Sequence, residues 1–271
     1  MSIGSKPALL GDRKPPRRRH LYEGRTKTLF DGPDPGTFVL YFKDNCKKQD
    51  GVSVIGKGVI NNRLSEMFMV RLNEIGVQTH LIRRLNMREQ LVRATQNLPC
   101  HVIVHNLAID NFAKRLGLEE GMLLPEAIPE FHVKSKDYAE SVISERHITA
   151  LGWADEDELD CIKEMTQRIN DFLCGQFIAL GLRLIRYQLE FGRVYLSDYM
   201  GDTQIVLIDE ISADSCCVLD IESGERLDID SLSGEDLGHC DQRSRYQKLA
   251  EKFGLLKAGG PADLLIREEI L

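Results

Sequence analysis

Three short stretches carry residue types that can do chemistry. Tyr22-Glu23-Gly24-Arg25-Thr26-Lys27-Thr28 stands just ahead of an apolar strand. A glycine there lets backbone N–H groups approach a phosphate, and Arg25 with Lys27 would neutralise it. The pattern is not GxxxxGKS, so a phosphate loop and an ordinary basic turn both remain open. Glu190 and the pair Asp209-Glu210 interrupt strands that are otherwise apolar, Leu189 to Gly192 and Ile205 to Ile211. Carboxylates entering a core need partners, because a bare buried charge is costly. Mg²⁺ is one such partner, since it takes protein carboxylates together with nucleotide phosphates. Salt bridges to a nearby Arg or Lys are the other. His105 follows an apolar strand and His80 follows Thr79, and a structural histidine accounts for either one taken alone.

The elements that must position these groups are legible in outline. Thr37 to Phe42 is β-branched and aromatic, bounded by Gly36 and Asp44, and reads as a strand. Leu64, Met67, Phe68, Leu72 and Ile75 have helical spacing, with Gly76 as the stop. His80–Leu85 and Glu89–Arg93 read as paired strands around Asn86-Met87, and Cys100–His105 as a third. A short helix follows from Asn111 to Leu116. In the second half, Ile162, Met165, Ile169, Phe172, Leu173, Phe177 and Leu180 make one face of a long helix ending at Gly181. Leu184–Phe191 alternates as a strand broken by Gly192, and Ile205–Ile211 is a more deeply buried one. Tyr246, Leu249, Ala250 and Phe253 belong to a closing amphipathic helix. Strands first, then a helix with strands, predicts an α+β protein.

Composition sets the outer limits. The chain has 271 residues, 42% of them hydrophobic, enough for one domain or two tightly packed lobes. Its net charge of −7 leaves no global positive field for a nucleic-acid polymer or an anionic lipid surface. The one basic run, Lys14-Pro15-Pro16-Arg17-Arg18-Arg19, lies in what reads as a disordered N-terminal arm over residues 1–20. No stretch reaches the roughly 18 apolar residues of a membrane span, and no signal-peptide core precedes a cleavage site. A cytoplasmic protein is expected. The seven cysteines form no CxxC pair, which favours reduced thiols over a zinc site.

Taken in order, the segments stop being independent. Leu21-Tyr22-Glu23-Gly24-Arg25-Thr26-Lys27 resembles the L-Y-x-G-K-A-K opening of the SAICAR synthetase family. Gly56 to Ser65 is similar to its G-K-G-x-x-N-N-x-I-S helix start, Thr79-His80 to its T-H, and Lys114 to Gly121 to its K-R-x-G-x-E-E-G. Glu145 to Ile148, Leu189-Glu190-Phe191-Gly192 and Asp209 to Cys216 resemble E-x-H-I, L-E-F-G and D-E-I-S-P-D-T-C. Gly224 to Asp228 and Asp236-Leu237-Gly238 complete the order, and the match runs from about residue 21 to 254.

The resemblance implies a small kinase-like or ATP-grasp-like N-terminal lobe (21–106) packed on a larger mixed α/β lobe (107–271), with an ATP cleft between. It implies an ATP- and Mg²⁺-dependent ligase of purine biosynthesis that joins a nucleotide carboxylate to the amine of aspartate. Carried over by position, Gly24, Arg25, Thr26 and Lys27 cover the ATP phosphates. Asn97 and Leu98 lie at the adenine hinge, Lys134 lies near the nucleotide, and Glu190 and Asp209 hold Mg²⁺. Lys27, Glu190 and Asp209 are then the catalytic set. His105, Asn111, Arg186, Gln188, Asp214 and Cys217 fall at the carboxylate substrate's site. The partners implied are small molecules, a carboxylate and an amino acid, with neither nucleic acid nor membrane; a homodimer is left open.

The departures from the family pattern are concentrated. Between Val102 and Asn111 the family's arginine is His105, its glycine Asp110 and its serine Asn111. The arginine after D-T-C is Cys217. On the strand face shared by 186, 188 and 190, Asp, Lys, Glu becomes Arg, Gln, Glu. The family's S-A-F region is Lys47-Lys48-Gln49, two added positive charges. His105, Asn111, Cys217, Gln188 and Arg186 are therefore expected to line one cavity beside the phosphates, with Arg186 as carboxylate anchor. A relative acting on a different carboxylate, and a nucleotide-binding protein without catalysis, are the alternative readings.

Overall fold

The computed structural model describes residues 18–45, 53–134, 141–196, 202–227 and 239–256. The Lys47-Lys48-Gln49 stretch, Asp228, Asp236-Leu237-Gly238 and most of the N-terminal arm lie outside them. The chain runs β1 (His20–Glu23), β2 (Lys27–Asp31), β3 (Thr37–Phe42), α1 (Lys57–Glu74), β4 (Leu81–Arg84) and β5 (Glu89–Arg93). These five strands form an antiparallel sheet in the order β1-β2-β3-β5-β4. Then follow β6 (Gln96–Ala108), α2 (Asp110–Leu116), β7 (Met122–Val133), β8 (Val142–Ile143), α3 (Glu145–Ala150) and α4 (Glu156–Ile178). β9 (Leu182–Tyr195), β10 (Thr203–Ile208), β11 (Cys216–Asp220) and α5 (His239–Lys252) complete the fold. The second sheet runs β10-β9-β6-β7-β8, with β11 also paired to β9. This is the α+β architecture that the order of elements predicts.

The change of sheet falls between Arg93 and Gln96, so the expected division at 106 lies inside β6. Backbone hydrogen bonds join the two sheets where His80 N–H donates to Leu207 O (2.8 Å) and Leu207 N–H to Gln78 O (2.9 Å). A single core continues across them. α1 supplies Leu64, Phe68 and Leu72 to it, α4 supplies Ile162, Ile169, Leu173 and Phe177, and the α5 end supplies Tyr246 and Leu249. The rings of Phe68, Phe177 and Phe253 meet at 5.2–5.7 Å between centroids. Each such side chain contributes about 1.5–3 kcal/mol on burial.

Several boundaries differ from the expected ones, for physical reasons. α4 starts at Glu156, ahead of its first periodic residue, because Asp155 and Glu158 form a capping box that satisfies the first free N–H groups. α1 starts at Lys57, ahead of its first periodic residue, Leu64, and within the stretch that resembles the family's helix start. Its Gly58 is a contact residue: a Cβ there would stand 2.5 Å from Phe42 O, so only glycine lets the helix start press against the end of β3. Gly192 does not break β9. It pairs with Asn97 and Val206 inside the ladder. β7 is absent from the sequence reading because Pro125 and Pro129 argue against a strand. They are tolerated since, among the described residues, β7 pairs with an outer neighbour only at Phe131 and His132. Among the described residues no helix is long and apolar enough to cross a membrane.

Candidate active site

A cavity of about 580 Å³ opens between the first sheet and the β9–β10 edge of the second. Its upper wall is apolar. Leu29, Phe38, Leu40 and Val92 line it from neighbouring strands, with Leu29 opposite Leu40 and Phe38 opposite Val92. Its floor is charged: Lys27, Arg93 and Lys134 face Glu190, Asp209, Glu210 and Asp214. An apolar slot beside a dense set of polar groups is the usual make-up of a nucleotide-sized site.

Lys27 opens β2, and its Nζ pairs with Asp209 Oδ1 and with Glu210 Oε1 at 2.7 Å. Successive side chains on a strand point to opposite faces. Both acids reach one ammonium because Asp209, just past β10, has φ of 66°. That left-handed conformation costs a non-glycine residue on the order of 1–3 kcal/mol and must be held from outside. Buried His80 supplies one hold, its Nε2 lying 3.2 Å from the Asp209 carbonyl. Burial pushes the His80 imidazole down to about 4, against the pull of the Asp209 carboxylate. The neutral ring donates from Nε2 to that carbonyl. Burial likewise opposes the Lys27 ammonium, but Asp209 and Glu210 outweigh it and hold the amine above its ordinary range.

Glu190 stands opposite Ile208 at the end of the β9–β10 ladder, so Asp209, the next residue after β10, lies one residue beyond that pair. Its Oε2 pairs with Lys134 at 2.6 Å, and Oε1 accepts from Gln188 Nε2 at 3.2 Å. Lys134 emerges just after β7, where its N–H donates to Pro99 O (3.0 Å). Each of the two carboxylates singled out in the sequence is thus balanced by a lysine in one cleft.

The remaining sequence-selected residues fall into two groups. Gly24, Thr26, Asn97, Gln188 and Asp214 line the cavity. Arg25 is exposed beside it, on the turn closed by Gly24 N–H to Lys27 O (2.9 Å), and Leu98 is buried in the core behind Asn97. His105, Arg186 and Cys217 form one register row across β6, β9 and β11. That row is four residues along β9 from Glu190, or roughly 13 Å at a strand's rise. His105 and Cys217 are each only 3% exposed. Cys217 packs with Leu107, Ile109 and Ile185 and meets Arg226 Nη2 at 3.6 Å. Asn111 is exposed on α2. Of the five residues expected to share one cavity, Gln188 alone lines the cleft.

Two features were missed in the sequence. Glu130, on the unexpected β7, is gripped by Arg115 Nη2 at 2.7 Å from each carboxylate oxygen and lies 3.4 Å from His105 Nε2. The apolar wall has a weak sequence signal in the alternation of Phe38 and Leu40. His105 also stacks on Phe112, with ring centroids 4.0 Å apart. Burial pushes its imidazole down to about 4, Glu130 opposing and Arg186, His132 and Arg115 assisting.

That shift has a consequence for stability. The unfolded chain binds a proton on residue 105 below about 6.5 and the folded chain only below about 4, so folding loses stability as pH falls through that window. The expected loss is at most about 3 kcal/mol. Melting temperature against pH should be steeper between pH 6.5 and 4 in the wild type than in His105→Gln. Equal slopes would remove His105 from the account.

The comparisons with known proteins agree with the geometry. A SAICAR synthetase family model matches residues 20–244. The phosphoribosylaminoimidazole-succinocarboxamide synthase of Rhodospirillum centenum is 44% identical over 252 residues, 92% of this chain and 96% of that one. The crystal structure of the Ehrlichia chaffeensis synthase superposes with a TM-score of 0.80 at 32% identity, covering 88% of this chain and 99% of the other. A SAICAR synthetase solved in complex with ADP gives 0.77 at 31% identity, covering 87% and 98%. The chain belongs to the SAICAR synthetase family.

Proposed function

We propose that the protein is an ATP-dependent phosphoribosylaminoimidazole-succinocarboxamide synthase, joining a carboxylated aminoimidazole ribonucleotide to aspartate. The observation that carries the reading is the pairing of Glu190, on β9, and Asp209, just past the end of β10, with Lys134 and Lys27 inside one cleft under an apolar wall. ATP places its adenine against Phe38, Leu40 and Val92, near Asn97, and its phosphates toward Gly24, Thr26, Lys27 and Lys134, with Arg25 at the rim. Glu190 and Asp209 would hold Mg²⁺, which supplies charge neutralisation between these carboxylates and the phosphates. The residues fit that role, since acidic groups lining the cavity outnumber basic ones and a polyanion needs added positive charge there. Asp214 and Gln188 lie where the acceptor carboxylate would enter, and Arg186 lies beyond them.

The chemistry balances in two steps. A carboxylate oxygen of the ribonucleotide bonds to the γ-phosphorus while the bond to ADP breaks, giving an acyl phosphate. The aspartate amine then attacks the acyl carbon, phosphate departs, and the nitrogen loses a proton to leave the amide. Positioning and charge neutralisation supply most of the acceleration in such phosphoryl transfer. Lys27 and Lys134 are the groups of this chain placed to do so. The reaction needs only small-molecule partners, and we place it in the cytoplasm.

Purified protein should convert the carboxylated aminoimidazole ribonucleotide, ATP and aspartate to the amide at roughly 1–10³ s⁻¹ with Mg²⁺. ADP release without aspartate would identify a kinase that stops at the phosphorylated product. Bound ADP with no turnover would leave a nucleotide-binding protein and sink the ligase reading.

A further inference from the structure

Lys57 breaks two local rules. It is the first residue of α1, where the helix dipole disfavours a cation, and its first turn holds no acid. Its side chain is also fully buried, an environment that lysine rarely occupies without a partner. Local conflicts of this kind mark places where something else is being satisfied.

What Lys57 satisfies is Asp214. Its Nζ lies 2.5 Å from Asp214 Oδ2 and 2.8 Å from the Asn45 carbonyl. The other carboxylate oxygen of Asp214 accepts from the Tyr246 hydroxyl on α5. From Asp214 the contacts run inward to the cleft. Asp214 N–H donates to Ser212 Oγ (3.1 Å), and Ser212 Oγ–H donates to Glu210 Oε2. Glu210 Oε1 in turn pairs with Lys27 Nζ at 2.7 Å. The same turn is fastened to β9, where Gln188 N–H donates to Ser215 O (2.9 Å). One chain of contacts thus connects the buried start of α1 with the cleft ammonium.

We propose that Lys57 is a positioning residue for the ligase reaction, setting the 209–215 turn by fixing the Asp214 carboxylate. Its side chain is fully buried and is not among those lining the cleft. Lys57 and Tyr246 hold Asp214 from behind, and through Ser212 and Glu210 this sets where Lys27 and the acidic wall stand. The proposal rests on the ligase reading for its kinetic test, though not for its structural one.

The experiment compares wild type, Lys57→Met, Tyr246→Phe and the double variant. Each is assayed for kcat and ATP KM, and for amide hydrogen exchange over residues 209–217. In Lys57→Met, kcat should fall roughly 10²-fold, the scale expected when reacting groups shift by about 1 Å, with ATP KM within about threefold. Tyr246→Phe should show a smaller loss at nearly unchanged melting temperature. The double variant should lose less than the product of the two, because both act on one carboxylate. Exchange should rise over 209–217 and stay unchanged in β3 and β5. Losses that multiply independently and follow only the folded fraction would overturn the proposal, as would unchanged exchange at 209–217. Should Lys57→Met fail to fold, Tyr246→Phe alone decides. A wild type without turnover would indict the reaction, while the exchange pattern still reads the network.

Discussion

Asp209→Asn should lower ATP turnover by roughly 10²–10³-fold while leaving the fold intact, the size of loss seen when a key charge-stabilising group is removed. Asparagine is the informative replacement. It tolerates the left-handed backbone that this position adopts, and it keeps the carbonyl that meets His80. The substitution therefore removes one negative charge and almost nothing else. If Asp209 and Glu190 hold the metal, the variant's ADP affinity should also lose its Mg²⁺ dependence, as should that of Glu190→Gln. Calorimetric titration of ADP with and without Mg²⁺ measures this directly. Wild-type turnover in both variants, or wild-type affinity with unchanged Mg²⁺ dependence, would take the metal away from these carboxylates.

Lys27→Met should be harmful twice over. The Lys27 side chain is 16% exposed and Glu210 only 4%, so removing the ammonium leaves two carboxylates crowded together with little water. Breaking a buried pair on one side costs about 3–5 kcal/mol. In a chain of this size, that lowers the melting temperature by on the order of 10 °C. Turnover should collapse as well, because the phosphates lose a neutralising group. The two effects separate with Mg²⁺, which should raise the melting temperature of Lys27→Met more than that of wild type by supplying the missing positive charge. A variant melting within about 2 °C of wild type and turning over normally would make the opening motif an ordinary basic turn.

The acidic wall also explains why the sequence alone left two readings of Glu190 and Asp209 open. The structure gives each carboxylate a lysine partner, as a salt bridge requires, and it lines one cleft with both, which is the arrangement the metal proposal rests on. Sequence-local chemistry names the need for a partner, but it cannot choose among partners distant in the chain.

The sequence by itself determined the element types wherever periodicity was long and uninterrupted. Ile162 to Phe177 reads as a helix, and Thr37 to Phe42 as a strand, because one face of each repeats at the period of its backbone. The ordered motifs determined the family. The sequence failed where a residue's usual local preference was overruled by a neighbour from elsewhere: Pro129 inside a strand with an open edge, and Gly192 continuing one. Only the tertiary structure brought Lys27 to Asp209 across 182 residues, put Lys57 behind Asp214, and set His105 and Cys217 in the buried row beside Arg186. Periodicity and propensity act over a few residues and can be read locally. Charge pairing in a low-dielectric cleft acts through space, and only the folded chain decides which charges meet.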